Sequence, residues 1–584
     1  KQTTDPGGAF DLIQILGPHV RGFLNVAMTN DAYALEPGDS QPTWILEPDG
    51  RLMSPGVLKR PGADPHDFHL LVPKPAEARV AHWLRALSDG FVSMDPEDEF
   101  VKAPGPVVVR RLLHEQGEAW TERPPAPELF TANTVGWAFD KPYWVGRCLH
   151  CNAPSGLKGL PAFAWKAPAG AALKRTHLYA AHRAAGAKIV PFAGYEMPVQ
   201  YTSVMEEHLA VRGNAGLFDV SHMGLFEFTG EDVHLFLNTV AANDVALIEV
   251  GDSQYSFLLA PDGSVVDDIW VYRLAAQRYW VVVNASNNDK DWAWLKAIQT
   301  GQALLDPARP WVRALGAETV QMRDMRDPAL GDETRGQLAL QGPKARDILL
   351  TMLGADDPTR QAILEMQRTQ IIHATVAGYD LWLARTGYTG EPMAFEIFVR
   401  PDDMVGFWRA LLEAGKPLGL KQCGLAARDS LRIEAGLPLY GHELAGPLNL
   451  NPSDAGFSPY VKLYKPFFIG KGAYMAHEAV RNARLVRFQL DEEHAPLLNQ
   501  GDVIVNRRGR VVGQVTSCSI NTEGRLVGLG FVQEPNHERD TRLGVYRAGK
   551  KTWETDPVES LKFGDQIQLP EDITVTSRFL NKQQ

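Results

Sequence analysis

Apolar and polar positions alternate along this chain in short runs that turn residues interrupt, and stretches of helical spacing stand between the runs. Residues 225–228 (Leu-Phe-Glu-Phe) read as a strand, and 231–240 carry helical spacing. Pro261-Asp262-Gly263 is turn chemistry between the apolar runs 255–260 and 265–274, which predicts a hairpin. A further strand and helix are predicted at 279–283 and 292–298. Strands and helices that arrive in runs rather than in strict alternation predict an α+β fold with antiparallel sheet. No apolar run reaches the roughly 18 residues of a membrane span.

The same order of elements occurs earlier. Residues 12–50 carry Phe-Leu-Asn at 23–25, Asn-Asp at 30–31, Gly-Asp-Ser-Gln at 38–41 and Pro-Asp-Gly at 48–50. Residues 225–263 repeat all four without a gap, at a constant offset of 213 positions, as from Gly38 to Gly251. Strand and helix are likewise predicted at 68–72 and 80–87. A weaker echo links Lys141-Pro142-Tyr143-Trp144-Val145-Gly146-Arg147 to Lys465-Pro466-Phe467-Phe468-Ile469-Gly470-Lys471, at an offset of 324. The first copy is therefore the shorter one. We read 1–165 as an abbreviated module, the Pro/Ala/Gly-rich stretch 160–172 as its linker, 173–480 as the full module with two α+β subdomains, and 481–584 as a third unit.

Composition narrows the class. With 584 residues, 45% of them hydrophobic, the chain can bury several cores and is not a disordered one. A net charge of −11 argues against a non-specific nucleic-acid binder. Four cysteines make no disulfide framework, so a reducing, cytoplasmic setting (the mitochondrial matrix in a eukaryote) is expected. Cys148-Leu149-His150-Cys151 is half of a zinc motif with no second half, so no metal is expected.

The two copies differ where chemistry would sit. Asp267 and Asp268 follow the hairpin turn of the second copy, and the offset places Ser54 and Pro55 opposite them; Tyr255 meets Pro42, and Asn284 falls near Pro73. Glycines and apolar residues persist in the first copy while these polar groups vanish, so catalysis is expected in the second alone. Along a strand, only one of Asp267 and Asp268 can face a given cavity.

Phe192-Ala193-Gly194-Tyr195-Glu196-Met197-Pro198, Phe218-Asp219-Val220-Ser221-His222-Met223, Leu340-Gln341-Gly342-Pro343, Arg385-Thr386-Gly387-Tyr388-Thr389-Gly390-Glu391 and the run 424–434 (GLAARDSLRIE), in this order, resemble the aminomethyltransferase family, the T-protein of the glycine cleavage system and its tetrahydrofolate-dependent relatives. The resemblance spans about residues 173–575. It implies three domains in a ring around a central folate cavity, ending in a β-barrel, with tetrahydrofolate as cofactor and a lipoyl carrier protein as partner. It also implies that Asp268 is the catalytic carboxylate, that Glu396 binds the pterin, and that Tyr255, Asn284, Tyr388, Arg428 and, by apolar packing, Met223 contact the folate. A carboxylate suits both tasks: it accepts from the adjacent amino and ring N–H groups of a pterin, and it stabilises positive charge near the reacting nitrogens.

The family's activity moves an aminomethyl group from the lipoyl arm to tetrahydrofolate, with ammonia and methylene-tetrahydrofolate as products. A demethylase using another small donor, and a folate-binding regulatory or assembly protein without turnover, are the alternatives. Departures from the family pattern at His442-Glu443, Phe457 and Cys518 bear on which donor docks at the cavity mouth.

Overall fold

In the computed structural model, the described residues are 9–112, 120, 122–130, 135–147, 157–168, 170, 172–492, 495–547 and 570–580. The Cys148–Cys151 motif lies outside them.

Two five-stranded antiparallel sheets have the same strand order. The first runs Ser40–Leu46, Leu52–Lys59, Asp67–Pro73, Phe10–Leu16, Val108–Leu112. The second runs Ser253–Leu259, Val265–Ala275, Arg278–Val283, Gly224–Thr229, Gln321–Asp324. Pairing agrees residue by residue: Ser40 faces Lys59 and Ser253 faces Tyr272, and the hairpins bulge at Ile45/Leu46 and Leu258/Leu259. Each sheet packs its apolar face on two helices, Val20–Ala27 and Glu77–Ser88 in one, Val233–Val240 and Asn288–Gln299 in the other.

The turn glycines correspond as well. Gly146 and Gly470 both have positive φ, and a Cβ would come within 2.6 Å of the Glu47 carbonyl oxygen in one case and 2.5 Å of the Ala260 carbonyl oxygen in the other. Only glycine fits so close an approach.

The two units exchange equivalent segments across their contact. Trp311 Nε1 donates to the Phe139 carbonyl at 3.0 Å, the Arg313 amide to Asp140 at 2.9 Å, and Arg309 to the Pro142 carbonyl. In return, Lys471 Nζ sits 2.5 Å from Asp98 Oδ2, and the Lys102 amide donates to Tyr464. Phe467 packs on both cores.

The stretch 160–172 touches the second unit at its start. Its Leu160 amide donates to Pro310 at 2.6 Å, Pro161 accepts from Leu304 at 2.7 Å, and Phe163 packs edge-on against Trp294. Phe163 is thereby half-buried on the second unit, whereas Trp165 stays exposed.

A six-stranded sheet follows in the order Ile371–Val376, Tyr379–Ala384, Ala394–Val399, Gly336–Gln341, Ala215–Asp219, Leu420–Gln422. Because Ala215–Asp219 precedes the second sheet in sequence, the two subdomains interleave rather than follow one another. The strands from Ala483–Leu490 to Glu571–Thr576 close a six-stranded barrel whose inward residues, among them Phe488, Ile504 and Ile573, form a separate core. The whole is α+β. Among the described residues, no helix is long and apolar enough to cross a membrane.

Candidate functional site

The hairpin Ser253–Leu259/Val265–Ala275 fixes the first part of the site. Tyr255 pairs with Trp270 and Phe257 with Asp268, so Tyr255 and Asp268 are diagonal neighbours on one face. The Tyr255 hydroxyl donates to Asp268 Oδ2 at 2.8 Å. Asn284, just past the end of the neighbouring strand, places Nδ2 at 2.8 Å from Asp268 Oδ1. Asp267 points to the opposite face, fully buried, and accepts from the Asn284 amide at 2.8 Å and from Asn287 Nδ2 at 2.6 Å. The pleat thus divides the acid pair, with Asp268 partly exposed and Asp267 inside. Burial, and then the charge of Asp267, push the Asp268 carboxyl up to about 7, against the bonds from Tyr255 and Asn284.

The six-stranded sheet brings the second part. Glu396 Oε2 accepts from Tyr272 at 2.9 Å and from Thr386 Oγ1 at 2.6 Å, while Oε1 accepts from no described residue. Tyr272 lies on the same strand face as Asp268, one turn of the pleat beyond Trp270, so a single strand touches both acids' surroundings. Met223 packs at this seam, part-buried beside Tyr272 and Trp270.

Between the acids stands Arg428, from the helix Leu425–Ala435. Its guanidinium lies 5.9 Å from the Tyr388 ring centroid and feels the charges of Glu396 and Asp268. It donates a hydrogen bond to no described residue, and burial lowers its pKa. Glu434, the partner one would seek on its own helix, is instead held by Arg212 at 2.6 Å and His208 at 3.1 Å. The Tyr388 hydroxyl is buried without a partner among the described residues. Asp268, Tyr255, Asn284, Tyr388, Arg428, Glu396 and Met223, drawn from both sheets and the helix, therefore converge.

Sequence reasoning missed several groups. Tyr272 and Thr386 orient Glu396, but 124 positions separate Tyr272 from that carboxylate. His222 is buried with neither ring nitrogen bonded to a described residue, and burial with Arg428 and Arg326 nearby brings it down to about 3. Asn287 and Asp291 stand behind Asp267.

Two acids, a guanidinium and a phenol hydroxyl thus lie close together, and comparison with known proteins gives the chain a family. The GCVT N-terminal domain matches residues 178–465. The aminomethyltransferase of Symbiobacterium thermophilum is 41% identical over 383 residues, covering 65% of this chain and 94% of that protein. This chain belongs to the aminomethyltransferase family. The family relative from Chloroherpeton thalassium is 37% identical over 379 residues, covering 65% of this chain and 96% of its own. The crystal structure of glycine cleavage system aminomethyltransferase T from Bartonella henselae superposes with a TM-score of 0.55 at 30% identity, over 70% of this chain and 97% of that one. The family fold, with its C-terminal barrel, thus accounts for the part of the chain that holds the site. The family match begins at residue 178, after the first sheet.

Proposed function

We propose that the chain is a tetrahydrofolate-dependent aminomethyltransferase that moves a one-carbon unit from an amine donor, carried on a lipoyl protein, to tetrahydrofolate, in the cytoplasm or its equivalent. The observation that carries this reading is the pairing of two acids around Arg428: Glu396 with one oxygen held and one free, and Asp268 held by Tyr255 and Asn284. A reduced folate supplies the nucleophilic nitrogen that receives the one-carbon unit.

Each residue then has a task. Glu396 Oε1, with Oε2 fixed by Tyr272 and Thr386, accepts from the pterin's N–H groups. The Tyr388 hydroxyl and the Arg428 guanidinium, neither bonded to a described residue, supply donors to its polar edge. Met223 and Trp270 offer apolar wall to the ring face. Asp268, with two donors on its oxygens, stays aimed at the reacting nitrogens, stabilises positive charge that develops as the donor's C–N or C–S bond breaks, and can take up a proton.

In this reading, residues 1–165 are a degenerate copy of the folate-binding unit. Shared strand order and bulge position support it, and the site positions are lost together: Pro42, Ser54, Pro55 and Pro73 stand where Tyr255, Asp267, Asp268 and Asn284 stand in the second unit.

The direct test is turnover of tetrahydrofolate with aminomethylated carrier protein, wild type against Asp268→Asn. Product from the wild type and loss of about a hundredfold or more in the variant are expected. Folate binding without product from this or any small methylated donor would make the chain a regulatory folate binder instead.

A further inference from the structure

Behind the reacting carboxylate lies a second, wholly buried one. Asp291 is the fourth residue of the helix Asn288–Gln299 and meets Asp267 side chain to side chain, both without solvent exposure. Asp267 already accepts three hydrogen bonds: Asn284 N–H and Nδ2 reach it at 2.8 and 2.9 Å, and Asn287 Nδ2 at 2.6 Å. No N–H or O–H of a described residue donates to either oxygen of Asp291. The Lys290 ammonium stands 4.0 Å from Oδ1 and donates instead to the Val266 carbonyl at 2.6 Å and to Tyr440 at 2.8 Å. Asp268, from the strand, is the remaining charge that faces it. Among the described residues, no trio of His, Cys, Asp or Glu is arranged to hold a metal ion that would neutralise the cluster.

Two carboxylates in contact away from water cannot both be ionised, because neither desolvation nor mutual repulsion is offset. One proton resolves this: as an acid, Asp291 becomes an O–H donor and Asp267 its acceptor. We infer that Asp291 is a positioning residue that keeps a proton at neutral pH and through Asp267 fixes the Asn284 amide against Asp268. The chain of contacts runs Asp291, Asp267, Asn284, Asp268, and a neutral Asp291 leaves one buried charge, not two, beside the carboxylate that must ionise.

The first sheet supplies an internal comparison. Its helix Glu77–Ser88 has the same length, and its fourth residue is Val80, fully buried in the apolar core. Asn287 is matched there by Ala76, just ahead of the helix. The scaffold thus forms without the acid; the acid accompanies the site.

The inference rests on the reading of Asp268 as the reacting carboxylate, so its test has an arm that needs no turnover. Infrared difference spectra of the full chain, wild type against Asp291→Asn, taken well above neutrality, should contain a protonated-carboxyl C=O band that the variant lacks. Asp291→Asn, which keeps a donor, should retain the wild-type pH inflection of turnover and lose less than about threefold in rate, whereas Asp291→Leu, without a donor, should lose tenfold or more. No such band in the wild type, or an Asp291→Asn inflection displaced to lower pH by about a unit, as deleting a negative charge would cause, overturns the inference. If no donor gives turnover at all, the functional reading fails while the infrared result still decides the proton.

Discussion

Lys141 and Lys465 make the same bonds, 324 positions apart. Lys141 Nζ donates to the Met28 and Asn30 carbonyls at 2.7 and 2.6 Å; Lys465 Nζ donates to those of Ala241 and Asn243 at 2.6 and 2.9 Å, each 213 positions on, and also to Asn238. Each ammonium is buried and ties the end of a helix and the start of a loop to the turn that follows. Replacing Lys465 by Met strands three carbonyls, at about 1–3 kcal/mol each where water cannot reach. Denaturant unfolding should show that loss for Lys465→Met. Lys141→Met should destabilise the first unit by a similar amount while reduced-folate affinity, measured by calorimetry, stays at the wild-type value.

Those two lysines show what the sequence made readable. The echo around them, the four identities at constant offset and the hairpin at Pro261-Asp262-Gly263 are local signals, and the strands, helices and pleat they predict are those observed. Asp268, Glu396 and Arg428 were reached through motifs, and the structure brings them together. Asp291 was not readable, because an acid in the first turn of a helix ordinarily faces solvent and complements the helix dipole. Tyr272 was not readable either: an apolar-patterned strand predicts a buried aromatic, but not that its hydroxyl meets a carboxylate from another sheet. The contacts of Leu160 and Phe163 were hidden for the same reason, since their partners Pro310 and Trp294 lie far along the chain.

Asp268 should impose a pH dependence on turnover. Its carboxyl sits near 7, lifted first by burial and then by the charge of Asp267. Below that value it is protonated and can neither stabilise cationic charge nor accept a proton, so kcat/KM should fall as pH drops through neutrality and level off above it. In Asp268→Asn the residual rate should be flat across that range. A wild-type profile that stays level down to pH of about 5 would remove Asp268 from the proton inventory of the reaction.

Asp219 predicts where the fold fails in acid. Burial disfavours its charge, but the His182 ring at 2.9 Å, the Thr176 hydroxyl at 2.6 Å and the Ser221 amide at 3.0 Å hold the carboxyl down to about 2. A carboxylate that is more acidic folded than unfolded stabilises the fold above its unfolded value and loses that contribution as pH falls through its folded one. Asp219→Asn should therefore cost on the order of 2 kcal/mol at neutral pH, and the gap to wild type should close between about pH 4 and pH 2. Thermal unfolding across that window measures it; a gap that widens in acid would contradict the assignment.

Glu396 and Tyr272 separate binding from orientation. Glu396 gives Oε2 to Tyr272 and Thr386, and in the proposed reading Oε1 is left for the ligand, so the two oxygens have different duties. Glu396→Ala removes the acceptor and should weaken reduced-folate binding by on the order of 2–4 kcal/mol. Tyr272→Phe leaves the acceptor in place with Thr386 still on Oε2, and should cost only about 1 kcal/mol, the net worth of one hydrogen bond that aims it. Combined with Thr386→Val, the loss should exceed the sum of the two single losses, because Oε2 then has no donor and the carboxylate is free to rotate. Calorimetric titration with tetrahydrofolate reads all four variants. Unchanged affinity in Glu396→Ala would place the pterin elsewhere, and a Tyr272→Phe loss as large as that of Glu396→Ala would make the hydroxyl itself a ligand contact.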